Sequence, residues 1–272
     1  MIYYPLNMIY SNLENLNIKN PFNDAPIFFA ETVSSTMDVS RELERENVPH
    51  GTVIVANFQE KGRGRMGRTW QANAGENLSF TVLLRFKDFS TIPIALTLKT
   101  GFAAALAVED FSALFHRDEI FCAVKWPNDL MLDSKKIAGI LAESDGKNVF
   151  IGIGVNVGQT EFPVELREKA GSLALKIGLA DALKSARFRL LAFILERLQG
   201  ELTAEDWRER LLGRLYRRGE MVRFIAGCAD SGSAVEGILS GVREDGALLV
   251  LPQGAETPSA FVTGELQALP VL

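Results

Sequence analysis

A cluster of cations in the run EKGRGRMGRTW, residues 60–70, is the strongest chemical signal in the sequence. Lys61, Arg63, Arg65 and Arg68 stand there among three glycines, although the whole chain has a formal net charge of −5. Guanidinium groups pair bidentately with carboxylates and phosphates, and glycines let a backbone close tightly around such a ligand. The pattern therefore predicts an anion-binding loop. A solvated hairpin loop, or a loop that contacts nucleic-acid phosphates, would carry the same charges.

The run VKWPNDLMLDSKKIAGIL, residues 124–141, places polar side chains at a turn between two predicted strands. The Pro-Asn-Asp corner fixes Asn128 and Asp129 where they could bind a hydroxyl, an amide or a cation. Lys136 follows seven residues after Asp129, so a hairpin would bring both to the same end of the sheet. The alternative is an ordinary turn with a surface ion pair worth roughly 0–1 kcal/mol.

A third stretch, GIGVN at residues 152–156, alternates glycines within a predicted strand that ends at Asn156. Glycine weakens the interior of a strand unless a ligand or another backbone must come close. Because three segments combine glycines with polar side chains, the sequence predicts one binding pocket to which all three contribute.

The composition is that of a soluble globular protein, with 47% hydrophobic and 23% charged residues in 272. Cys122 and Cys228, without a CxxC motif, support neither a disulfide framework nor a structural zinc site. With His50 and His116 as the only histidines, a catalytic triad and a His-rich metal centre are disfavoured. The chemistry must rest on Lys, Arg, Asp and backbone groups.

The sequence also indicates where the protein works. Its first twenty residues lack a basic leader and contain Pro5, so no signal peptide is predicted. The apolar run at 92–115 contains Lys99, Glu109 and Asp110, which favours a buried core helix over a membrane span. We expect a cytoplasmic protein without a membrane partner.

Hydrophobic patterns predict the elements that position the loop. A strand at 27–33 leads into a helix whose capping box pairs Ser35 with Asp38, and the N-terminus of that helix leaves backbone N–H groups open to an anion or a carbonyl. Strands at 52–58 and 78–86 flank the cationic loop.

The second half of the chain has a different pattern. Residues 121–157 show short apolar runs separated by tight polar turns, which predicts an antiparallel meander. Helical spacing follows at 183–198 and 207–215. Composition changes at Gly219, and short strand patterns beyond it are typical of a small β-barrel. We predict an α+β (α/β) fold with a mixed, mainly antiparallel sheet and helices at 1–218, and a small β-barrel domain at 219–272.

Four sequence blocks follow one another in a recognisable order. They are SST at 34–36, QEKGRGRMGRTW at 59–70, KWPNDL with KKIAGIL at 125–141, and GIGVN at 152–156. Together they resemble the signature motifs of the biotin protein ligases, the biotin–[acetyl-CoA-carboxylase] ligases, and the resemblance covers residues 27–270. It implies the biotin/lipoate ligase catalytic fold, which is like that of class II aminoacyl-tRNA synthetases, with a C-terminal β-barrel of the Src-homology type.

The resemblance implies a two-step reaction. In that family, biotin and ATP condense to biotinyl-5′-adenylate and pyrophosphate, and the biotinyl group then passes to one lysine of a biotin carboxyl carrier domain. The implied ligands are biotin and ATP with Mg²⁺, and the implied partner is the carrier domain of acetyl-CoA carboxylase. No covalent nucleophile on the enzyme is required, and neither cysteine lies in a signature loop.

The resemblance also assigns roles to individual residues. It assigns biotin binding to Ser35, Thr36, Gln59, Arg63, Gly64, Arg65 and Lys136. It assigns ATP binding to Arg63, Arg65, Arg68, Trp70, Asn128, Asp129, Lys136 and Asn156. Lys136, Arg65 and Asp129 take the catalytic roles, with Asp129 near Mg²⁺ and able to accept the proton of the incoming lysine. Trp70 is a candidate adenine platform, whereas core packing is its alternative and is favoured for Trp126.

Two features depart from the family pattern. Met37 stands where the family often has Asn, so either backbone groups suffice there or the biotin pocket is altered. Some twenty-six residues precede the first predicted strand, too few for the helix-turn-helix domain of bifunctional relatives. We therefore expect a monofunctional enzyme that binds no DNA.

Three rival functions stay open. A lipoate or octanoate ligase shares the fold and the acyl-adenylate chemistry, but its arginine and triple-glycine block is absent. A nonenzymatic module that binds nucleic acid conflicts with the acidic tail and with the lack of aromatic residues between the cations. The third rival is a sensor that binds biotin without turnover. An exposed strand could pair two subunits in a homodimer, and no residue pattern decides this.

Overall fold

The computed structural model describes residues 13–227 and 233–267. These ranges contain two β-sheets and five α-helices. The first sheet contains β1 (Glu14–Asn15), β2 (Ile27–Val33), β3 (Val53–Gln59), β4 (Leu78–Arg85), β5 (Ala123–Lys125), β6 (Asp129–Leu132), β7 (Lys135–Ser144) and β8 (Asn148–Val155). The helices are α1 (Thr36–Arg45), α2 (Leu96–Ala113), α3 (Leu173–Ile177), α4 (Ala180–Thr203) and α5 (Trp207–Leu212). The second sheet contains β9 (Met221–Ala226), β10 (Ser233–Val242), β11 (Leu248–Pro252), β12 (Ser259–Phe261) and β13 (Gly264–Gln267).

The first sheet has the strand order β1-β2-β3-β4-β8-β7-β6-β5. Among the described strands only β2 and β3 run parallel, because α1 returns the chain to the starting end of the sheet. All other neighbours are antiparallel, and β5 to β8 form the predicted meander. The mixed, mainly antiparallel sheet is confirmed.

The two faces of this sheet carry separate apolar clusters, because side chains alternate along each strand. On one face Ile54, Leu83 and Phe150 pack against α1 through Leu43. On the other face the neighbouring residues of the same strands, together with α2 and α4, form the larger core. We call these the α1 face and the core face.

Helix α1 begins as predicted, but its cap differs in one partner. Ser35 is the N-cap, and its Oγ accepts a hydrogen bond from the Met37 amide at 3.3 Å. The predicted capping-box partner, Asp38, instead forms an ion pair with Arg63 of the cationic loop. A tertiary ion pair has thus replaced a local one, which ties the first turn of α1 to that loop.

Helix α2 is the predicted core helix. The stretch Phe89–Ala113 is, among the described residues, the one helical stretch long and apolar enough by composition to cross a membrane, and 61% of its apolar window is buried inside the fold. The one cation within α2, Lys99, donates from Nζ to the carbonyl oxygens of Leu202 at 3.2 Å and Ala204 at 3.1 Å. The carbonyl end of α4 thereby balances the ammonium group, although burial lowers the pKa of Lys99.

The second sheet is antiparallel throughout, with the order β12-β11-β10-β9-β13. The apolar stretch AFVTGEL, residues 260–266, reads as one strand in the sequence, but it divides between β12 and β13, which lie at opposite edges of the sheet. Gly264 starts β13 at φ 150°, and a Cβ there would lie 2.3 Å from the Phe224 ring. Closure of this sheet into a barrel, and a domain boundary at Gly219, stay predictions.

One aromatic contact joins the two sheets. Phe224 of β9 is fully buried, with its ring centroid 5.7 Å from that of Trp126 and 4.7 Å from that of Phe261. Trp126 is itself buried and donates from Nε1 to the Gly246 oxygen at 2.9 Å. The predicted core role of Trp126 is confirmed, and the two sheets share one apolar core.

Replacing Phe224 with Ala should therefore destabilise the whole fold by about 3–5 kcal/mol, because it leaves a cavity between the sheets. Urea unfolding followed by circular dichroism measures this loss. The matched control is Phe89→Ala, since Phe89 is 74% exposed and should contribute little. A loss below about 1 kcal/mol for Phe224→Ala would contradict a shared core.

Candidate functional site

A cavity of about 270 Å³ opens on the α1 face of the first sheet. Its walls come from the N-terminus of α1, the cationic loop, strands β5 to β8 and the start of β13. All twelve residues assigned from the sequence line it, namely Ser35, Thr36, Gln59, Arg63, Gly64, Arg65, Arg68, Trp70, Asn128, Asp129, Lys136 and Asn156. The structure brings these residues together, while their individual roles stay predictions.

The floor of the cavity is a pair of glycines that support an indole ring. Gly139 of β7 and Gly154 of β8 are direct partners across the two strands. A Cβ at Gly154 would lie 2.4 Å from Cε2 of Trp70, and one at Gly139 would lie 3.3 Å from its Cζ3. Because real Cβ contacts are not so short, glycine at 154 is what lets the indole lie on the strands. This placement suits a stacking platform.

Met37 occupies the adjacent position on the same floor. A Cβ at Gly152 would lie 2.9 Å from Met37 Sδ, so this glycine makes room for the thioether as Gly154 does for Trp70. Met37 is buried and packs in the apolar cluster of the α1 face with Leu43 and Phe150. The residue that departs from the family pattern therefore forms an apolar part of the cavity wall.

A polar group lies beside Met37 at the start of α1. The amide and the Oγ1 of Thr36 both donate to Gln59 Oε1, at 2.9 and 3.1 Å. Thr81 Oγ1 donates in turn to Thr36 Oγ1 at 2.9 Å. Since these bonds hold the Gln59 amide by its oxygen, its Nε2 is left to donate to a ligand.

The cationic loop is itself a short hairpin. Arg63 and Thr69 form an antiparallel bridge, and the Gly64 amide donates to the Arg68 oxygen at 2.7 Å. A single 3-10 turn at Arg65–Gly67 closes the tip. The loop therefore has a defined backbone that fixes where each arginine begins.

Each arginine of the hairpin contacts a different wall of the cavity. Arg63 pairs with Asp38 of α1, and Arg68 pairs with Glu265 of β13. Arg65 donates from Nη1 to the Oδ1 of Asn128, at the β5–β6 turn, at 3.3 Å. Burial lowers the pKa of Arg65, and the carboxylate of Asp129 partly opposes that shift.

The acid at 265 is a site residue that sequence reasoning missed. Its partner, Arg68, is 197 residues away in the chain, so no local pattern could indicate the pair. The hydrogen bond from Arg68 lowers the pKa of Glu265. Through this pair the second sheet forms part of the cavity wall.

The hairpin corner predicted from spacing is present. Lys136 Nζ lies 2.6 Å from Asp129 Oδ1, and it lies 5.7 Å from the centroid of the Trp70 ring. Asp129 Oδ1 has no hydrogen-bond partner, so the contact with Lys136 is an ion pair. The predicted proximity of Asp129 and Lys136 is confirmed.

Besides Asp129 Oδ1, which has its ion pair with Lys136, two buried polar atoms in the cavity wall have no hydrogen-bond partner. They are Nε1 of Trp70, a donor, and Oδ1 of Asn156, an acceptor. The other end of the Asn156 amide is held, because Nδ2 donates to the Gly171 oxygen at 2.9 Å. An unpaired buried polar atom costs about 1–3 kcal/mol, so both atoms are positioned for a polar ligand to satisfy.

Cysteine chemistry does not fit the described site. Cys122 is buried on the core side, and burial raises its pKa to about 12, which leaves the thiol protonated and inert. Cys228 lies outside the described residues.

Comparisons with known proteins agree with the family resemblance seen in the sequence. The sequence model of the Biotin/lipoate A/B protein ligase family matches residues 29–159. The biotin–[acetyl-CoA-carboxylase] ligase of Paracoccus denitrificans is 33% identical over 230 residues, covering 77% of this chain and 88% of that protein. The bifunctional ligase/repressor BirA of Bacillus subtilis is 36% identical over 159 residues, covering 56% of this chain. That alignment spans 47% of the Bacillus protein, about half its length.

A solved structure is also similar over nearly the whole chain. It is the biotin protein ligase from Aquifex aeolicus in complex with biotin and ATP, with a TM-score of 0.73 and 29% sequence identity. The similarity covers 89% of this chain and 97% of that one. The mixed sheet with its helices is therefore the fold of that protein.

The glycine floor gives a test that needs no ligand. Gly154→Ala would place a methyl group 2.4 Å from Cε2 of Trp70, and relieving that overlap should cost about 1–3 kcal/mol of unfolding free energy. Displacement of the indole should also shift the tryptophan emission of the folded protein. The control is Gly200→Ala in α4, where a Cβ meets open space and should stabilise by about 1 kcal/mol. Unchanged stability and emission in Gly154→Ala would contradict this geometry.

Proposed function

Because the chain belongs to the biotin/lipoate protein ligase family, as a relative of the biotin protein ligases, we propose that it ligates biotin to one lysine of a biotin carboxyl carrier protein. ATP would be cleaved to AMP and pyrophosphate, with biotinyl-5′-adenylate as the intermediate. The carrier domain of acetyl-CoA carboxylase is the proposed acceptor, since the Paracoccus relative is named for that substrate. The observation that carries this proposal is the convergence of Arg63, Arg65 and Lys136 on the cavity that holds Trp70.

The first step joins two anions, so charge decides whether it can occur. A carboxylate oxygen of biotin would form a bond to the α-phosphorus of ATP, and the bond from that phosphorus to the bridging oxygen would break. The electron pair leaves with pyrophosphate. Because like charges repel, cations must neutralise both groups as they meet. Lys136 and the two arginines of the hairpin are placed for this.

The walls of the cavity suggest where each substrate lies. The ureido ring of biotin has both donors and an acceptor, which suits the Thr36–Gln59 group at the start of α1. The thioether ring would lie on the apolar floor made by Met37 and Gly152. Adenine would stack on Trp70, whose second face is turned from the glycine floor. Positioning of this kind can supply roughly 7–11 kcal/mol of the barrier.

The second step transfers the acyl group. The amine of the carrier lysine would attack the acyl carbon of the adenylate, forming an amide bond while AMP leaves with the electron pair. The proton of that amine needs an acceptor, and we assign this role to Asp129. Its carboxylate lies in the cavity wall beside Lys136, which places a base next to the reacting carbon in this scheme.

Magnesium would accompany ATP. The described residues contain no group of three or more His, Cys, Asp or Glu side chains that could hold a metal alone. The cavity does offer the carboxylate of Asp129 and the unpaired Oδ1 of Asn156, which are the oxygens that Mg²⁺ accepts when phosphates supply the rest. When bound, the ion would neutralise phosphate charge.

Other observations weigh against the nucleic-acid-binding rival. The hairpin arginines contact Asp38, Asn128 and Glu265, and two of the three are already paired with a carboxylate. Four of the arginines between 187 and 218 form ion pairs within the fold, namely Arg197 with Asp110, Arg210 with Glu201, Arg214 with Glu109 and Arg217 with Glu220. These cations are therefore committed to internal contacts.

We also propose that the protein is cytoplasmic and that it forms a homodimer. Pairing of subunits through the edge of β5 conflicts with the described contacts, since the Val124 amide donates to the Arg214 oxygen at 2.8 Å and the Tyr216 amide donates to the Val124 oxygen at 2.9 Å. A dimer would have to use another surface.

A paired assay tests the proposed function. The protein is mixed with Mg-ATP, a carrier domain and either biotin or lipoate, and both pyrophosphate release and carrier labelling are measured. We expect pyrophosphate release and labelling with biotin and neither with lipoate. Transfer of lipoate with biotin ignored would overturn the proposal, and biotin binding without pyrophosphate release would favour the sensor.

Lys136 is the residue whose loss should be most costly to the first step. Lys136→Ala removes the ammonium group between Trp70 and Asp129, and we expect adenylate formation to fall on the order of 10²–10³-fold. Lys136→Arg keeps the charge and should recover part of the rate. The readout is single-turnover formation of biotinyl-5′-adenylate. Full activity in Lys136→Ala would remove this residue from the scheme.

A further inference from the structure

Lys125, the last residue of β5, is a cation of the cavity wall to which neither the motifs nor the proposed reaction has given a task. The described wall contains five cations and two carboxylates. Three of the cations pair with a carboxylate, as Arg63 does with Asp38, and Arg65 bonds to Asn128. The Lys125 side chain alone among these five has no ion-pair or hydrogen-bond partner within the described residues, since the hydrogen bonds of this residue come from its backbone.

An unpaired ammonium group in such a position is energetically unfavourable. Lys125 is half-buried, and burial lowers its pKa, which the carboxylates of Asp129 and Glu265 oppose without contacting it. Taking a charge out of water costs free energy unless an opposite charge comes within reach. The positive charge of Lys125 is therefore paired only when an anionic ligand approaches it.

The register of the sheet shows which part of a ligand could reach it. Gly154 pairs with Gly139, Gly139 with Asp129, and Asp129 with Lys125. Directly paired residues share one face of a sheet, and neighbouring strands lie about 4.8 Å apart. One row on the α1 face thus runs from the floor beneath Trp70, past Asp129, to Lys125.

We propose that Lys125 binds the β- and γ-phosphates of ATP and then the pyrophosphate that leaves. This inference rests on the proposed function, because it places adenine on Trp70 and the α-phosphate near Lys136. The next position along the row, one strand beyond Asp129, is then that of the terminal phosphates. When the bond between the α-phosphorus and the bridging oxygen breaks, negative charge grows on the pyrophosphate oxygen. An ammonium group at that end stabilises the leaving group.

Two carboxylates, those of Asp129 and Glu265, act on Lys125 electrostatically. Asp129 is paired with Lys136, and Glu265 of β13 is paired with Arg68, so both carboxylates are occupied by other cations. These pairs keep Lys125 available for a ligand. A polyanion, which can contact several separated cations at once, fits the set better than a single carboxylate does.

Direct binding of inorganic pyrophosphate tests the subsite. Titration calorimetry of the full chain with magnesium pyrophosphate should give a dissociation constant about ten-fold higher for Lys125→Gln than for the wild type. Lys125→Arg should restore most of the affinity, and Lys125→Met provides a second neutral variant of similar length. The matched control is Lys135→Gln, which removes the same charge from a half-buried lysine of β7 that lies outside the cavity and bonds to the Arg167 oxygen at 2.8 Å.

The two half-reactions separate this role from others. In Lys125→Gln the KM for ATP in adenylate formation should rise about ten-fold, while transfer from supplied biotinyl-5′-adenylate to the carrier should stay within about two-fold. Unchanged pyrophosphate affinity in both neutral variants would overturn the inference. An equal loss in the transfer step would overturn it in favour of a contact with the carrier. Pyrophosphate binding that depends on Lys125 in a protein without biotin-dependent turnover would refute the proposed function and leave the subsite standing.

Discussion

Repulsion between a carboxylate and a phosphate is the constraint around which this molecule is arranged. The chain is acidic overall, yet it collects five cations in the wall of one cavity. Four of the five are held at separate places by a carboxylate or an amide from α1, β13 and the β5–β6 corner, and only the Lys125 side chain lacks such a partner within the described residues. In the proposed reaction the anionic groups of the substrates replace those partners at the cations. The resting ion pairs are therefore both a scaffold and a competitor for the ligand.

The sheet supplies a flat and precise floor, which the charged side chains do not provide. Glycines at 139, 152 and 154 leave the backbone bare on the α1 face, and the side chains of Met37 and Trp70 lie directly on it. The same strands present larger residues to the core face, so the floor is open without a loss of core packing. The second sheet completes the cavity through Glu265, which makes the C-terminal segment part of the site rather than an appendage.

Much of this arrangement could be predicted from the sequence because it depends on local spacing. Strand alternation gave the meander, and a hairpin between Asp129 and Lys136 required only that the two strands pair. What failed depended on distant partners. The predicted capping box at Ser35 is not formed with Asp38, because Asp38 pairs with Arg63 of the loop. Glu265 contributes to the cavity wall only because the second sheet packs against the first. Whether a charge is paired in the folded chain cannot be read from its neighbours in sequence, since tertiary register decides it.

The most direct measurement is a crystal structure of the protein with biotin and a non-hydrolysable ATP analogue bound together. We predict side-chain nitrogens of Arg63, Arg65 and Lys136 within about 4 Å of carboxylate or α-phosphate oxygens, with the Asp38 contact of Arg63 given up or shared. Ligands that bind elsewhere, while all three cations keep the partners they have in the free protein, would contradict the proposed role of these cations.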